Sequence, residues 1–175
     1  TVTDYQTVIG QLPKTYNFYN NNLPILSASI LSPLAAAGNT YYHYYLVDST
    51  YVDGEKHYLL HFRTKNSFYA TFNGEMTIDS ATYALRSISV TLPEHNPINY
   101  LRQLTIKQTY KKDNNIEEEK LSMLLDFAIK SDTSHIFPTL LLQRANWINN
   151  EQPTQNITHI TPTQPIPTET STIAA

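Results

Sequence analysis

The groups on which chemistry could rest are a few histidines and a scatter of carboxylates, and their spacing limits what they can do. His57 and His61 stand four apart in "KHYLLHF", and His43 lies just before the Asp53-Gly54 turn that leads into that stretch. Zinc draws three or four ligands to about 2.0–2.1 Å. Residues four apart on a strand are separated by about 13 Å, so His57 and His61 cannot share an ion unless a neighbouring strand intervenes. They read as imidazoles on a polar face, and no metal centre is expected. Asp48, Asp53 and Asp79 fall at turns, where the Asp side chain caps local backbone donors. Glu117, Glu118 and Glu119 are consecutive and must alternate across a strand, so no inward carboxylate pair is expected. There is no G-x-S-x-G elbow and no phosphate-cradling glycine loop, in a chain with only four glycines. No catalytic residue, no cofactor and no enzymatic activity are expected.

The composition agrees. The absence of cysteine removes disulfides, thiolate zinc sites and cysteine nucleophiles. A net charge of −3 provides no cationic footprint for nucleic acid. The densest basic cluster, Lys107, Lys111 and Lys112, runs straight into the three glutamates and reads as a solvated hairpin end. No apolar run is long enough for a transmembrane helix. The chain opens at Thr1 with neither an initiator methionine nor a signal peptide, which suggests a piece of something longer.

These side chains must be positioned by a sheet. Residues 1–40 are broken by Pro13, Pro24 and Pro33, so only one or two short helices are expected there. "LPILSASILSPLAAAG" is the best candidate, with Gly38 at its end. From Tyr41 the period becomes two. Asp53-Gly54 is a strong hairpin signal, and further turns fall at "DSAT" (79–82) and "KKDNN" (111–115). Between them Leu60 and Phe62, then Phe72, Met76 and Ile78, then Ile88 and Val90, then Leu104 and Ile106, then Met123, Leu125 and Phe127 each mark one apolar face. "HIFPTLLLQRANWI" predicts a last, edge strand because of Pro138. The Thr/Pro-rich stretch 151–175 reads as a tail or linker. Its "NIT" at 156–158 fits a glycosylation sequon only by cheap coincidence. Four tyrosines at 41, 42, 44 and 45 must point two to each face, as core margin, cavity rim or interface.

The same stretches resemble a Gram-negative cell-envelope family of unknown function. Its members join a carboxypeptidase-regulatory-like sandwich, a middle region of this kind and an outer-membrane segment. The matching pieces run in order: Phe18-Tyr19, Ser32 to Leu34, "YYHYYLVD" at 41–48, "YVDG" at 51–54, "TFNG" at 71–74, "IDSATYAL" at 78–85, "INY" at 98–100 and "QTY" at 108–110. They cover about Tyr16 to Lys112. "RTKN" stands at 63–66 where the family has a basic "PKRK", and Met76 where it has an aromatic. The strand-turn-strand grammar is also similar to periplasmic lipoprotein carriers and sigma-regulator sensor domains, in which a curved sheet wraps short helices and holds acyl chains.

The fold expected is therefore mainly β (α+β): a curved antiparallel meander of six or seven strands forming a half-barrel, with one or two short helices near the N-terminus. Residues 1–150 form one domain (helices and loops over 1–40, sheet over 41–148), and 151–175 form the tail. The resemblance implies a periplasmic address, associated with the outer membrane through flanking segments. It also implies a non-catalytic module that holds an apolar or acyl ligand, or a lipidated partner, in its concave face. The candidate lining is Leu60, Phe62, Phe72, Met76, Ile78, Ile88, Val90, Leu104, Ile106, Met123, Leu125 and Phe127, with Tyr42 and Tyr44 at the rim. The alternative is a spacer that docks adjacent envelope domains and takes no small molecule.

Overall fold

From Tyr42 onward the two-residue period builds one antiparallel sheet. In the computed structural model, which describes residues 10–126, 139–149 and 152–163, its strands are β3 (Tyr42–Val52), β4 (Glu55–Thr64), β5 (Asn73–Asp79), β6 (Leu85–Thr91), β7 (Leu101–Tyr110), β8 (Ile116–Asp126), β9 (Thr139–Asn149) and β10 (Gln152–Thr163). Each pairs with its sequence neighbours in the order β10-β9-β8-β7-β6-β5-β4-β3, and the two ends do not pair, so the sheet is open. The β3–β4 turn holds Asp53 and Gly54 at φ 50° and 80°, as a two-residue hairpin loop of this twist requires.

Cross-strand register places the apolar sets on one face. Phe62 opposes Gly74, which opposes Val90, which opposes Ile106, which opposes Leu121. That face is covered by the chain's own beginning. Leu12, Tyr16 and Phe18, and Leu23, Ile25 and Ile30 of a small hairpin, join the sheet's apolar residues in one buried cluster. Phe18 and Phe72 meet at a tilt, with 6.2 Å between ring centroids.

This cover is not helical where a helix was expected. Residues 22–31 form the hairpin β1 (Asn22–Ile25) and β2 (Ala28–Leu31), with Leu26 at its tip at φ 55°. Leu23 and Ile25 are buried while Asn22 and Pro24 are exposed, a period of two that a helix would have scattered. Gly38–Tyr41 form a single helical turn, α1, so Gly38 opens a helical turn instead of ending one.

Two other differences lie at the C-terminal side. β9 is not an edge strand: it begins after Pro138 and pairs on both sides, with β8 and β10. The segment read as a linker supplies β10, which adds an eighth strand to the expected meander. Threonine suits a strand, and an edge strand tolerates Pro153 and Pro162 because their missing N–H groups can face away from the ladder.

Candidate functional site

The expected lining is core. Phe62, Phe72, Val90, Ile106, Met123 and Leu125 are fully buried, and Met76, Ile88 and Leu104 nearly so. Leu60 and Ile78 are half-buried and packed against the same cluster, and Phe127 lies outside the described residues. Two surface depressions among the described residues, of about 520 and 710 Å³, are lined by none of them. The first lies over the outer face of β7–β9, along Thr105, Lys107, Lys120, Ser122, Gln143 and Ala145. The second lies between the β4–β5 and β6–β7 loops, near Phe68, His95 and Arg102.

The tyrosines act as struts between sheet and cover. Tyr42, expected at a rim, is buried. Its hydroxyl donates to the Leu31 carbonyl at 2.5 Å and accepts from the Phe72 N–H at 3.0 Å. Tyr44, half-buried, donates to the Pro33 carbonyl at 2.6 Å, and Tyr100 to the Ile25 carbonyl at 3.0 Å. The Tyr19 hydroxyl accepts from the Leu85 N–H at 3.0 Å. A ring that packs on the core and a tip that reaches a backbone group on the cover explain why tyrosine is used so heavily here. Burial raises the Tyr42 and Tyr44 hydroxyls above the ordinary phenol range.

A buried polar network anchors the other end of the cover. Glu119 is fully buried on the core face of β8, opposite Gln108 of β7. Its Oε2 accepts from the Tyr16 N–H at 2.8 Å and from Gln108 Nε2 at 2.5 Å, and its Oε1 from Arg144 Nη2 at 3.0 Å. Arg144 Nη1 donates to the Pro13 carbonyl at 2.7 Å, and Tyr110 donates to Gln108 Oε1 at 2.5 Å. Burial pushes the Tyr16 and Tyr110 hydroxyls well up. The expectation for 117–119 was that they form no inward pair; alternation does not say which glutamate shares the core phase, and the structure assigns it to Glu119. An acid that is fully paired in this way has a structural office, not a catalytic one.

A second polar cluster sits on the opposite face, at the end of β4 and β5. His57 of β4 and Asp79 of β5 are register partners, and Glu55 lies two residues before His57 on the same face. Asp79 Oδ1 accepts from the N–H groups of Ala81 and Thr82 and from the Thr82 hydroxyl, at 2.8–3.0 Å. The Thr82 N–H, reinforced by the Ala81 N–H, the Thr82 hydroxyl and the charge of Arg86, holds the Asp79 carboxyl below the usual range against the opposing effect of burial. His61 lies on the same face four residues further along β4, 3.3 Å from Glu75, and His43 is exposed opposite Arg63. The three histidines therefore do not converge. The partner of His57 is Asp79, which strand register sets and spacing along the sequence does not show.

The third feature is the free edge. β3 ends the sheet, and no described strand pairs with its outer side. Tyr45, Leu46, Val47, Tyr51 and Val52 are all exposed, at 47–71% of their surface. Leu46 opposes Leu60 and so points to the core face, while Tyr45 opposes His61 and points the other way. A bulge at Val47 and the charge of Asp48 interrupt the strand, as edges that must resist indiscriminate pairing often do.

The chain is thus a mainly β domain whose sheet is covered by residues that precede it. Residues 4–134 match a family of unknown function, DUF5686, and the chain belongs to it. No curated protein and no solved structure matches the chain.

Proposed function

We propose that this is a non-catalytic docking module of a larger envelope protein, periplasmic and linked to the outer membrane by flanking segments, which accepts an extended strand of an adjacent domain along β3. The observation that carries this reading is the edge itself: exposed apolar side chains on both faces of a strand whose outer side meets no described partner. Addition of a strand to such an edge combines backbone hydrogen bonds with side-chain pockets. The envelope address rests on the resemblance of the motifs between Phe18 and Tyr110.

The other reading, an acyl ligand in the concavity of a half-barrel, would require residues 12–31 to leave the face they cover. The complete burial of Phe18, Ile25 and Ile30 there supports docking over ligand binding. Hydrogen exchange tests the proposal. The outward amides of β3 exchange rapidly in the isolated chain and gain protection in the intact protein in its membrane. Equal exchange in both would sink the docking reading. Native mass spectrometry after incubation with phospholipid gives an apo mass, and a stoichiometric acyl adduct would restore the pocket.

A further inference from the structure

We infer that Glu55, His57 and Asp79 form a site for a divalent transition-metal ion of the zinc type, bound by one imidazole nitrogen and two carboxylate oxygens. This inference is independent of the docking role. One potential ligand atom from each residue lies within 4.8 Å of the others. Two ligands held about 2.0–2.2 Å from one tetrahedral ion stand about 3.3–3.6 Å apart, so closing the set takes side-chain movement of up to about 1.5 Å. His57 Nε2 and Asp79 Oδ2, at 3.8 Å, are already near that separation.

The histidine is what distinguishes this cluster from an ordinary group of surface acids. Its side chain is 9% exposed, and its Nε2 is buried without a hydrogen-bond partner in the protein. Buried polar atoms are nearly always satisfied, and an exception calls for an occupant. This nitrogen is aimed at a carboxylate too distant to hydrogen-bond directly. Asp79 is suited to its part: Oδ1 is committed to the β5–β6 turn, which fixes the direction of Oδ2. Mixed imidazole and carboxylate ligation favours zinc and its first-row neighbours over magnesium or calcium. Three protein ligands leave a position for water.

Two cations face the site and set its strength. Arg86 Nη2 lies 3.7 Å from Asp79 Oδ2, and Lys112 Nζ lies 2.8 Å from Glu55 Oε1. Arg86 is held, since its Nη1 donates to the Lys111 carbonyl at 3.1 Å. Lys112 has a side chain 73% exposed and can swing into solvent. An incoming ion displaces it from Glu55, so Lys112 competes with the metal. The bound ion ties the start of β4 to the β5–β6 turn.

The test is calorimetric titration of zinc chloride into the tag-free, chelator-stripped chain, repeated with cobalt(II) to follow the ligand field by absorbance. One equivalent binds and raises the thermal midpoint. His57→Ala weakens binding by at least about a hundredfold, since losing a ligand exceeds the 10- to 100-fold loss of an outer-sphere partner. Glu55→Gln weakens it in the same direction, and Lys112→Ala tightens it several-fold. His43→Ala and His61→Ala leave it unchanged. Absence of saturable binding would overturn the assignment and leave the nitrogen to a water molecule. Binding that survives in a folded His57→Ala or Glu55→Gln protein would overturn it too, as would a loss caused by His61→Ala.

Discussion

Glu119→Ala provides the sharpest test of how the cover is held. The substitution removes the acceptor for three donors, the Tyr16 N–H, Gln108 Nε2 and Arg144 Nη2. It also leaves the Arg144 guanidinium, 10% exposed, beside a hole. Breaking a buried pair from one side costs about 3–5 kcal/mol, a large part of the 5–15 kcal/mol that holds a typical domain together. Simply adding three charge-assisted hydrogen bonds would give more, but Arg144 keeps the Pro13 carbonyl and can take up water, so the lower range applies. Glu119→Gln is not a rescue. An amide can offer one oxygen, but its NH₂ then confronts the donors that met the second oxygen, and about 2–3 kcal/mol is still lost. The double variant Glu119→Leu with Arg144→Met removes both charges together and costs less than Glu119→Ala alone. Urea unfolding measures all three, and hydrogen exchange at the Tyr16 amide reports whether the cover loosens first. A loss below about 1 kcal/mol for Glu119→Ala, or strict additivity with Arg144→Ala, would refute a coupled buried anchor.

Other perturbations address other parts of the frame. A Cβ at Gly74 would overlap the Ser89 carbonyl oxygen and touch the Phe62 ring. Because a backbone atom cannot rotate away, Gly74→Ala should lower stability by about 3 kcal/mol, read from its denaturation midpoint. Tyr16, Tyr42, Tyr44 and Tyr110 have raised hydroxyl pKa values, so in an alkaline ultraviolet titration they ionise last, and only as the fold opens. Their contribution is complete below the unfolded value of about 10 and is lost as pH rises towards their folded values. Loss of the Tyr42→Phe strut should make that opening occur at lower pH. Asp79 behaves in the opposite sense, because its folded pKa is depressed. Its contribution is present above the unfolded value of about 3.9 and is lost as pH falls through the folded one, so Asp79→Asn should flatten the acid limb of the stability curve.

How far these features were legible varied with their range along the chain. Alternation identified β6 from Ile88 and Val90, and Asp53-Gly54 identified the first hairpin of the large sheet, because a strand's faces and a tight turn are local properties. Residues 22–31 were ambiguous, because a run of ten with Leu23, Ile25 and Ile30 fits either period, and burial against the sheet decided for the hairpin. The Glu119 anchor was hidden because three glutamates in a row carry no phase of their own. The pairing of His57 with Asp79 was hidden because register depends on where a turn closes. The Thr/Pro composition of residues 152–163 describes what an edge strand tolerates as well as it describes a linker.

The sheet and its cover also differ in when they can be made. Every pairing in the large sheet joins neighbours in the sequence, so hairpins can form one after another as the chain emerges. The ties from the cover are of another kind. Tyr16 waits for Glu119, 103 residues later, and Pro13 waits for Arg144, 131 residues later. At 5–20 residues per second, that last partner follows by roughly 7–26 s. For that interval the residues of the cover, made before the sheet, are the last to be fastened, and the apolar face they will close stands unsealed. A delay between making a wall and shutting its door is when a holdase would be most useful to this chain, and when a slow codon just before Arg144 would be most harmful.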